Sequence, residues 1–257
     1  MKVATWNVNS VRIRERLVAD WLGRVQPDLL LLQEIKCEEP QFPAMAFEAA
    51  GYRSHVVGQK SYNGVAILSR VPVQVVLRAL PGLPDGDAQA RYIEVEAGGV
   101  HVGNLYLPNG NSGGEAGYEY KLNWMARLRD RAEALLAADK PVVLAGDYNV
   151  APTDEDFAPG TLGASDALVR PPTRAAFRAM QWLGMTDAIR ALQPRGRVYT
   201  FWDYQGGAWS RDLGLRIDHA LLSPDLAERL VSAVPDKNER AMAQPSDHVP
   251  VVFEIAE

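Results

Sequence analysis

Six short segments place a carboxylate, an amide or an imidazole at the end of an apolar run, or in the step just beyond it. They are Trp6-Asn7-Val8-Asn9, Leu32-Gln33-Glu34, Leu105-Tyr106-Leu107-Pro108-Asn109, Ala145-Gly146-Asp147-Tyr148-Asn149, Arg216-Ile217-Asp218 and Ser246-Asp247-His248. An unpaired buried polar group costs about 1–3 kcal/mol, so a shared polar site explains these ends better than six separate burials do. If the runs are neighbouring strands, Glu34, Asp147, Asp218 and Asp247 converge with only His248 to offset them. Four carboxylates in one cleft imply a cation.

A hard ion such as Mg2+ takes oxygen ligands, keeps several waters and is completed by substrate phosphate. Glu34, which follows Leu29-Leu30-Leu31-Leu32-Gln33, is the first candidate ligand; with Asn7 and Asp247 available in the same site, a plain salt bridge at a strand end is the weaker reading. Asp218 can hydrogen-bond His248, orient the ring and raise its pKa. Ser246, His248 and Asp218 also supply the residue types of a nucleophilic triad. However, a serine two residues before its histidine in an extended segment shares its face without reaching its ring, and no Gly-x-Ser-x-Gly elbow occurs.

These residues need strands to carry them. Val3–Trp6, 28–33, 64–69, 71–77, 92–96, 100–106, 142–145, 217–222 and 249–255 read as strands, and 11–25, 118–138, 173–183 and 225–231 have helical period. Several strands follow one another through short turns, which favours antiparallel pairing. The expected fold is a four-layer α/β sandwich, two mixed, mainly antiparallel sheets packed face to face with helices outside. Segments 110–117 and 205–211, rich in glycine and polar residues, read as rim loops, without the pattern of a phosphate-cradling loop.

The chain has 257 residues, 47% apolar and 23% charged, and no long linker divides it, so one domain over residues 1–257 is expected. Its N-terminus lacks the apolar core of a secretory signal and no run reaches membrane-spanning length, which predicts a cytoplasmic protein without membrane attachment. The lone Cys37 excludes an internal disulfide framework and a cysteine-based zinc site. A net charge of −5 argues against nucleic acid only weakly, because the local field decides and basic residues recur near the polar segments: Arg12, Arg14, Arg16, Lys60, Arg91, Lys121, Arg211 and Arg216.

Taken in order, Thr5-Trp6-Asn7-Val8-Asn9, Leu32-Gln33-Glu34, Asn63-Gly64-Val65-Ala66, Tyr106-Leu107-Pro108-Asn109-Gly110, Gly146-Asp147-Tyr148-Asn149, Gly214-Leu215-Arg216-Ile217-Asp218 and Pro245-Ser246-Asp247-His248-Val249-Pro250 resemble the exonuclease III family of the endonuclease/exonuclease/phosphatase superfamily. The resemblance spans essentially the whole chain. It implies a Mg2+-dependent phosphodiesterase, with Mn2+ as substitute, that cuts duplex DNA 5′ of abasic sites and removes nucleotides or blocking groups from 3′ ends. It assigns Glu34 to the metal, with Asn7 as nearby ligand or orienter and Asp247 as further ligand or histidine neighbour. Tyr106 would donate to the scissile phosphate, Asp147 orient or deprotonate the attacking water, Asn149 hold that water or a phosphate oxygen, and the Asp218–His248 pair place a protonated imidazole against a non-bridging oxygen. The resemblance also implies an apolar pocket for a flipped sugar around Phe201, Trp202, Leu215 and Ile217; for Trp202 a core position is an equal alternative. Arg91 is a further candidate for substrate binding, and a monomer is expected. Two rivals stand beside this reading: a phosphoesterase of the same superfamily acting on non-DNA substrates, and a nucleic-acid-binding regulator without cleavage.

Overall fold

The computed structural model describes residues 1–84 and 86–257. The run Leu29–Leu32 shows how the layers arise. Successive strand residues point to opposite faces. Leu29 and Leu31 enter the core between the two sheets, whereas Leu30 and Leu32 enter a second core beneath the helices. A strand apolar on both faces is covered on both faces.

The first sheet contains β1 (Lys2–Asn7), β2 (Leu29–Gln33), β3 (Arg53–Val57), β4 (Val65–Ser69), β11 (Leu230–Pro235) and β12 (Val251–Ile255), in the order β11-β12-β1-β2-β4-β3. The second contains β5 (Gln74–Leu77), β6 (Tyr92–Ala97), β7 (Val100–Tyr106), β8 (Val142–Asp147), β9 (Thr186–Asp187) and β10 (Asp218–Leu222), in the order β5-β6-β7-β8-β10-β9. Each sheet has one parallel pair, β1 with β2 and β7 with β8; the other pairings are antiparallel. Helix α1 (Val11–Val25) makes the first parallel crossover and α3 (Gly114–Ala137) the second. Trp21 and Leu22 of α1 pack on the outer face of the first sheet with Phe47 of α2 (Ala44–Ala49). Trp124 and Leu128 of α3 and Phe177 of α4 (Pro171–Trp182) cover the second sheet. The architecture is the expected four-layer sandwich.

The departures from the sequence expectation are local. Strands β3, β9 and β11 and helices α2 and α5 (Ala188–Leu192) were not expected. The expected helix at 225–231 is a five-residue α6 (Pro224–Glu228) that passes into β11, and the strand expected from Val71 begins at Gln74. The rim loop expected at 110–117 is helical from Gly114 onward. Glycines hide that start from propensity, yet Gly117 is obligatory, because a Cβ there would lie 1.8 Å from the Ser112 carbonyl oxygen.

A buried amide pins one sheet to the other. Asn104 on β7 accepts from Gln33 Nε2 at 2.7 Å and donates to the carbonyl oxygens of Leu32 and Ala66 at 3.0 and 2.8 Å. These bonds cross the sandwich one residue behind the polar strand ends and fix how the two sheets sit over each other.

Candidate active site

Register brings the polar ends together. Asn7 is paired with Gln33, Tyr106 with Asp147, and Asp147 with Asp218. All sit at one edge of the sandwich, so both sheets deliver side chains to a cleft of about 690 Å³ that Glu34, Tyr106, Asn109, Asp147, Asn149, Asp247 and His248 help line. Asn7 joins the halves. Its Nδ2 donates to Glu34 Oε1 from the first sheet and to Asp147 Oδ2 from the second, both at 2.9 Å. In this orientation Asn7 presents its amide nitrogen to both carboxylates.

His248 lies between two carboxylates, with Nδ1 at 2.8 Å from Asp218 Oδ2 and Nε2 at 3.7 Å from Asp147 Oδ2. Thr200 Oγ1 donates to Asp218 Oδ2 at 2.6 Å and fixes the pair from behind. Burial by itself would lower the imidazole pKa, but the charges of Asp218 and Asp147 outweigh it and hold the ring protonated above its ordinary range. Asp147 shifts upward, chiefly through burial and the nearby Asp218 charge, against the opposing pull of His248 and the Asn7 and Asn149 hydrogen bonds. Burial would also raise Glu34, yet the Lys36 charge and the hydrogen bonds from Asn7 and Lys36 keep its carboxyl below the ordinary value. Tyr106 is driven far up by burial and by the charges of Glu34 and Asp147, so its hydroxyl stays a donor.

Asp147, Asp218 and His248 each bring one atom able to bind a metal within 4.8 Å of the others. That trio is engaged with itself, through the Asp218–His248 hydrogen bond and the His248–Asp147 contact. Glu34, ionised and partly open to the cleft, is the carboxylate fitted to a hard cation, with Asp247 across the rim.

Two asparagines are locked as a unit. The Asn149 backbone NH donates to Asp147 Oδ1 at 2.9 Å, its Nδ2 donates to the Leu107 carbonyl at 2.9 Å, and its Oδ1 accepts from Asn109 Nδ2 at 3.0 Å. The carbonyls of Asn109 and Asn149 both receive the buried Lys121 ammonium, at 2.9 and 2.5 Å. Gly110 leaves the room for that side chain, as its φ is +87° and a Cβ there would meet Lys121 Cδ at 2.7 Å.

Phe201, Leu215 and Ile217 line the same cleft, and the Phe201 ring meets the His248 ring edge-on at 4.9 Å. Trp202 does not reach it. This ring is fully buried against Tyr199, Trp209 and Val249, with Nε1 donating to Asp212 at 3.0 Å, so its apolar bulk is spent on core. Arg91 stacks 4.8 Å over the Tyr106 ring and donates to the Tyr106 carbonyl at 3.2 Å, bracing that residue from outside. Three of the basic residues near the polar segments are internal: Arg14 is buried, its guanidinium donating to the Asn9 and Pro245 carbonyls. Lys121 is the clamp just described, and Arg216 is buried against Asp156 and Asp187, both at 2.7 Å. Ser246 Oγ donates to the Asn7 carbonyl at 2.7 Å and turns away from the imidazole. Sequence reading missed Asn104, Lys36, Thr200 and the contribution of Asn109; only Asn109 lay in a segment whose pattern could have flagged it.

The model of the Endonuclease/Exonuclease/phosphatase family matches residues 4–248. The chain belongs to this family. Among family members, an exodeoxyribonuclease III from Haemophilus influenzae is 34% identical, covering 99% of this chain and all of the relative. A 3′ phosphatase from Neisseria, NExo, solved with a product DNA hairpin, is 40% identical with a TM-score of 0.95, and an AP endonuclease from Archaeoglobus fulgidus is 36% identical with a TM-score of 0.93; both alignments cover 100% of each chain. The likeness to these members of the endonuclease/exonuclease/phosphatase family includes both sheets, so the match is to the whole sandwich that builds the cleft. The exonuclease III resemblance read from seven motifs therefore holds.

Proposed function

We propose that this nuclease of the exonuclease III type cuts duplex DNA 5′ of abasic sites and trims or unblocks 3′ ends, with Mg2+ or, in its place, Mn2+ at Glu34. The observation that carries the reading is the Asp218–His248–Asp147 row set beside Tyr106 and Glu34 in a cleft that Phe201, Leu215 and Ile217 also line. Relatives bearing the names exodeoxyribonuclease III, 3′ phosphatase and AP endonuclease support it. Residues 1–257 act as one catalytic unit, because each sheet holds part of the site. Monomeric state and cytoplasmic location belong to the same proposal; among the described residues no helix is long and apolar enough to cross a membrane.

A bound divalent ion would supply charge neutralisation at a phosphate oxygen. The protein does the rest. Asp147, fixed by Asn7 and by the Asn149 backbone, accepts the proton of the attacking water or orients it. His248, kept protonated by Asp218, donates to a non-bridging phosphate oxygen, and the Tyr106 hydroxyl donates from the end of the neighbouring strand β7, so that both bonds strengthen as negative charge builds. Phe201, Leu215 and Ile217 offer an apolar surface to a sugar without its base.

A 5′-labelled duplex with a central abasic analogue and a recessed 3′ end, incubated in Mg2+ and in parallel in EDTA, tests the proposal. A metal-dependent cut at the abasic position together with shortening from the 3′ end is expected. Shortening alone, or release of phosphate from a 3′-phosphorylated end alone, would remove incision from the assignment. No product with either ion would refute it.

A further inference from the structure

Behind the apolar wall of the cleft lies a second cavity, which among the described residues shares no lining residue with the first. Leu215 and Ile217 line the cleft, and the alternation of an extended chain turns Arg216 between them the other way. The cavity there has a volume of about 480 Å³, within the range of small-molecule sites, about 300–1,000 Å³.

The charges around it are unevenly paired. Arg216 is held by Asp156 and Asp187, and Arg190 by Asp156 and by the carbonyls of Gln193 and Gly196 at 3.3 and 2.9 Å. Of the lining acids, Asp187 is thus neutralised, Asp154 pairs with Arg174 at 2.8 Å, and Glu155 Oε2 accepts from the Gly196 NH at 2.8 Å. Arg178, Arg195 and Gln181 line the same cavity, and their side chains have no partner among the described residues. With Asp156 and Arg174 behind the wall included, five guanidiniums meet four carboxylates. The backbone under Arg195 is fixed. Arg190 grips this turn through the Gln193 and Gly196 carbonyls and Glu155 grips it through the Gly196 NH, while Gly196 takes the φ of +88° that favours glycine. Two unpaired guanidiniums converging on one concave surface beside an amide donor suit a tetrahedral oxyanion, because their forked N–H groups match phosphate and its charge relieves their mutual repulsion.

We propose that this cavity is a second anion site, binding the phosphate group of a nucleoside monophosphate or of inorganic phosphate through Arg178, Arg195 and Gln181. The origin of the ligand rests on the proposed activity, whose trimming of 3′ ends releases the first and whose unblocking of phosphorylated ends releases the second. The test is isothermal titration calorimetry of the full chain in EDTA, without DNA, using deoxyadenosine 5′-monophosphate and, separately, inorganic phosphate. One site per chain is expected, with affinity weakened on the order of 10-fold in each of Arg178→Gln and Arg195→Gln. Both side chains are exposed, so these variants keep the fold. Arg197→Gln, which removes an exposed cation outside the cavity, should keep wild-type affinity. Tighter binding of the nucleotide supports the product of trimming as ligand, and equal or tighter binding of inorganic phosphate supports the phosphate group as the whole of what is recognised. Unchanged affinity in both cavity variants, an equal loss in Arg197→Gln, or no heat with either probe at roughly 1 mM would overturn the site. With metal and DNA absent, those failures leave the cleavage assignment untouched, and a failure of cleavage leaves the measured binding untouched.

Discussion

Replacing Arg216 by methionine separates a structural cation from a DNA contact. Its guanidinium is 1% exposed and donates to Asp156 Oδ1, Asp187 Oδ2 and His219 Nδ1 at 2.7, 2.7 and 3.0 Å. Methionine fills much of the volume and leaves two buried carboxylates short of a partner. Asp156 keeps Arg190 and Thr153, whereas Asp187 keeps on its Oδ2 side only His219 at 3.7 Å. Breaking a buried ion pair from one side costs about 3–5 kcal/mol. At about 2–4 °C per kcal/mol for a chain of this size, Tm at neutral pH should fall by roughly 6–20 °C. The pH dependence has a definite sign. Burial would raise both carboxyls, and Arg216 overrides it, so their folded pKa values are depressed. The wild-type contribution is therefore complete above the ordinary carboxylate pKa of about 4 and is lost only as pH falls through the depressed values. In the variant the unpaired carboxyls titrate higher, and protonation relieves them, so the Tm gap should narrow on acidification. Thermal unfolding by circular dichroism across acid and neutral pH reads this, and DNA affinity against salt supplies the control. A Tm within about 2 °C of wild type, with a slope of log affinity against log salt smaller by about 0.9, would make Arg216 a phosphate contact and refute the buried assignment.

Asp147→Asn should lower kcat by about 10²–10⁴-fold while Tm holds or rises, because a carboxyl with a raised folded pKa costs stability when ionised; a matching loss of Tm would show damage to the fold instead. The pH–rate profile should be a bell whose rising limb, from Asp147, lies above the ordinary carboxylate range and whose falling limb, from His248, lies above the ordinary imidazole value of about 6.5; limbs at the ordinary values would contradict the paired arrangement. Asn104→Leu removes the amide between the sheets, and kcat should drop further than stability accounts for, seen as lost activity at temperatures where the variant is still fully folded. Thr200→Val frees Asp218 from its 2.6 Å donor and should move the falling limb without changing DNA affinity.

How far the sequence could be read follows from where each signal is stored. Strand ends such as Leu32-Gln33-Glu34 and Gly146-Asp147 were legible because a polar residue closing an apolar run breaks a pattern, and α1 was legible because Ile13, Leu17, Trp21 and Leu22 repeat at helical period. Burial of charge was not legible. Lys121 and Arg216 look like surface cations in one dimension, and only the fold shows carbonyls around one and carboxylates around the other. For Trp202 the core alternative is the one the fold takes, while its neighbour Phe201 lines the cleft. Strand β11 was hidden by weak alternation at a sheet edge, with only Ala233 buried. Asn104 stood in the middle of a strand with nothing in its surroundings to single it out.

The two strand orders superpose term by term: β1 and β2 in one sheet stand where β7 and β8 stand in the other, each parallel pair flanked by antiparallel strands. Glu34 follows the last residue of β2 and Asp147 closes β8, so the two carboxylates belong to different sheets. Neither sheet holds a complete site, and the separation of the two parts is set by how one sheet is seated on the other. Catalytic rate in this protein is consequently a gauge of inter-sheet alignment, one that should register pressure or cavity-forming changes deep between the sheets before any spectroscopic sign of unfolding.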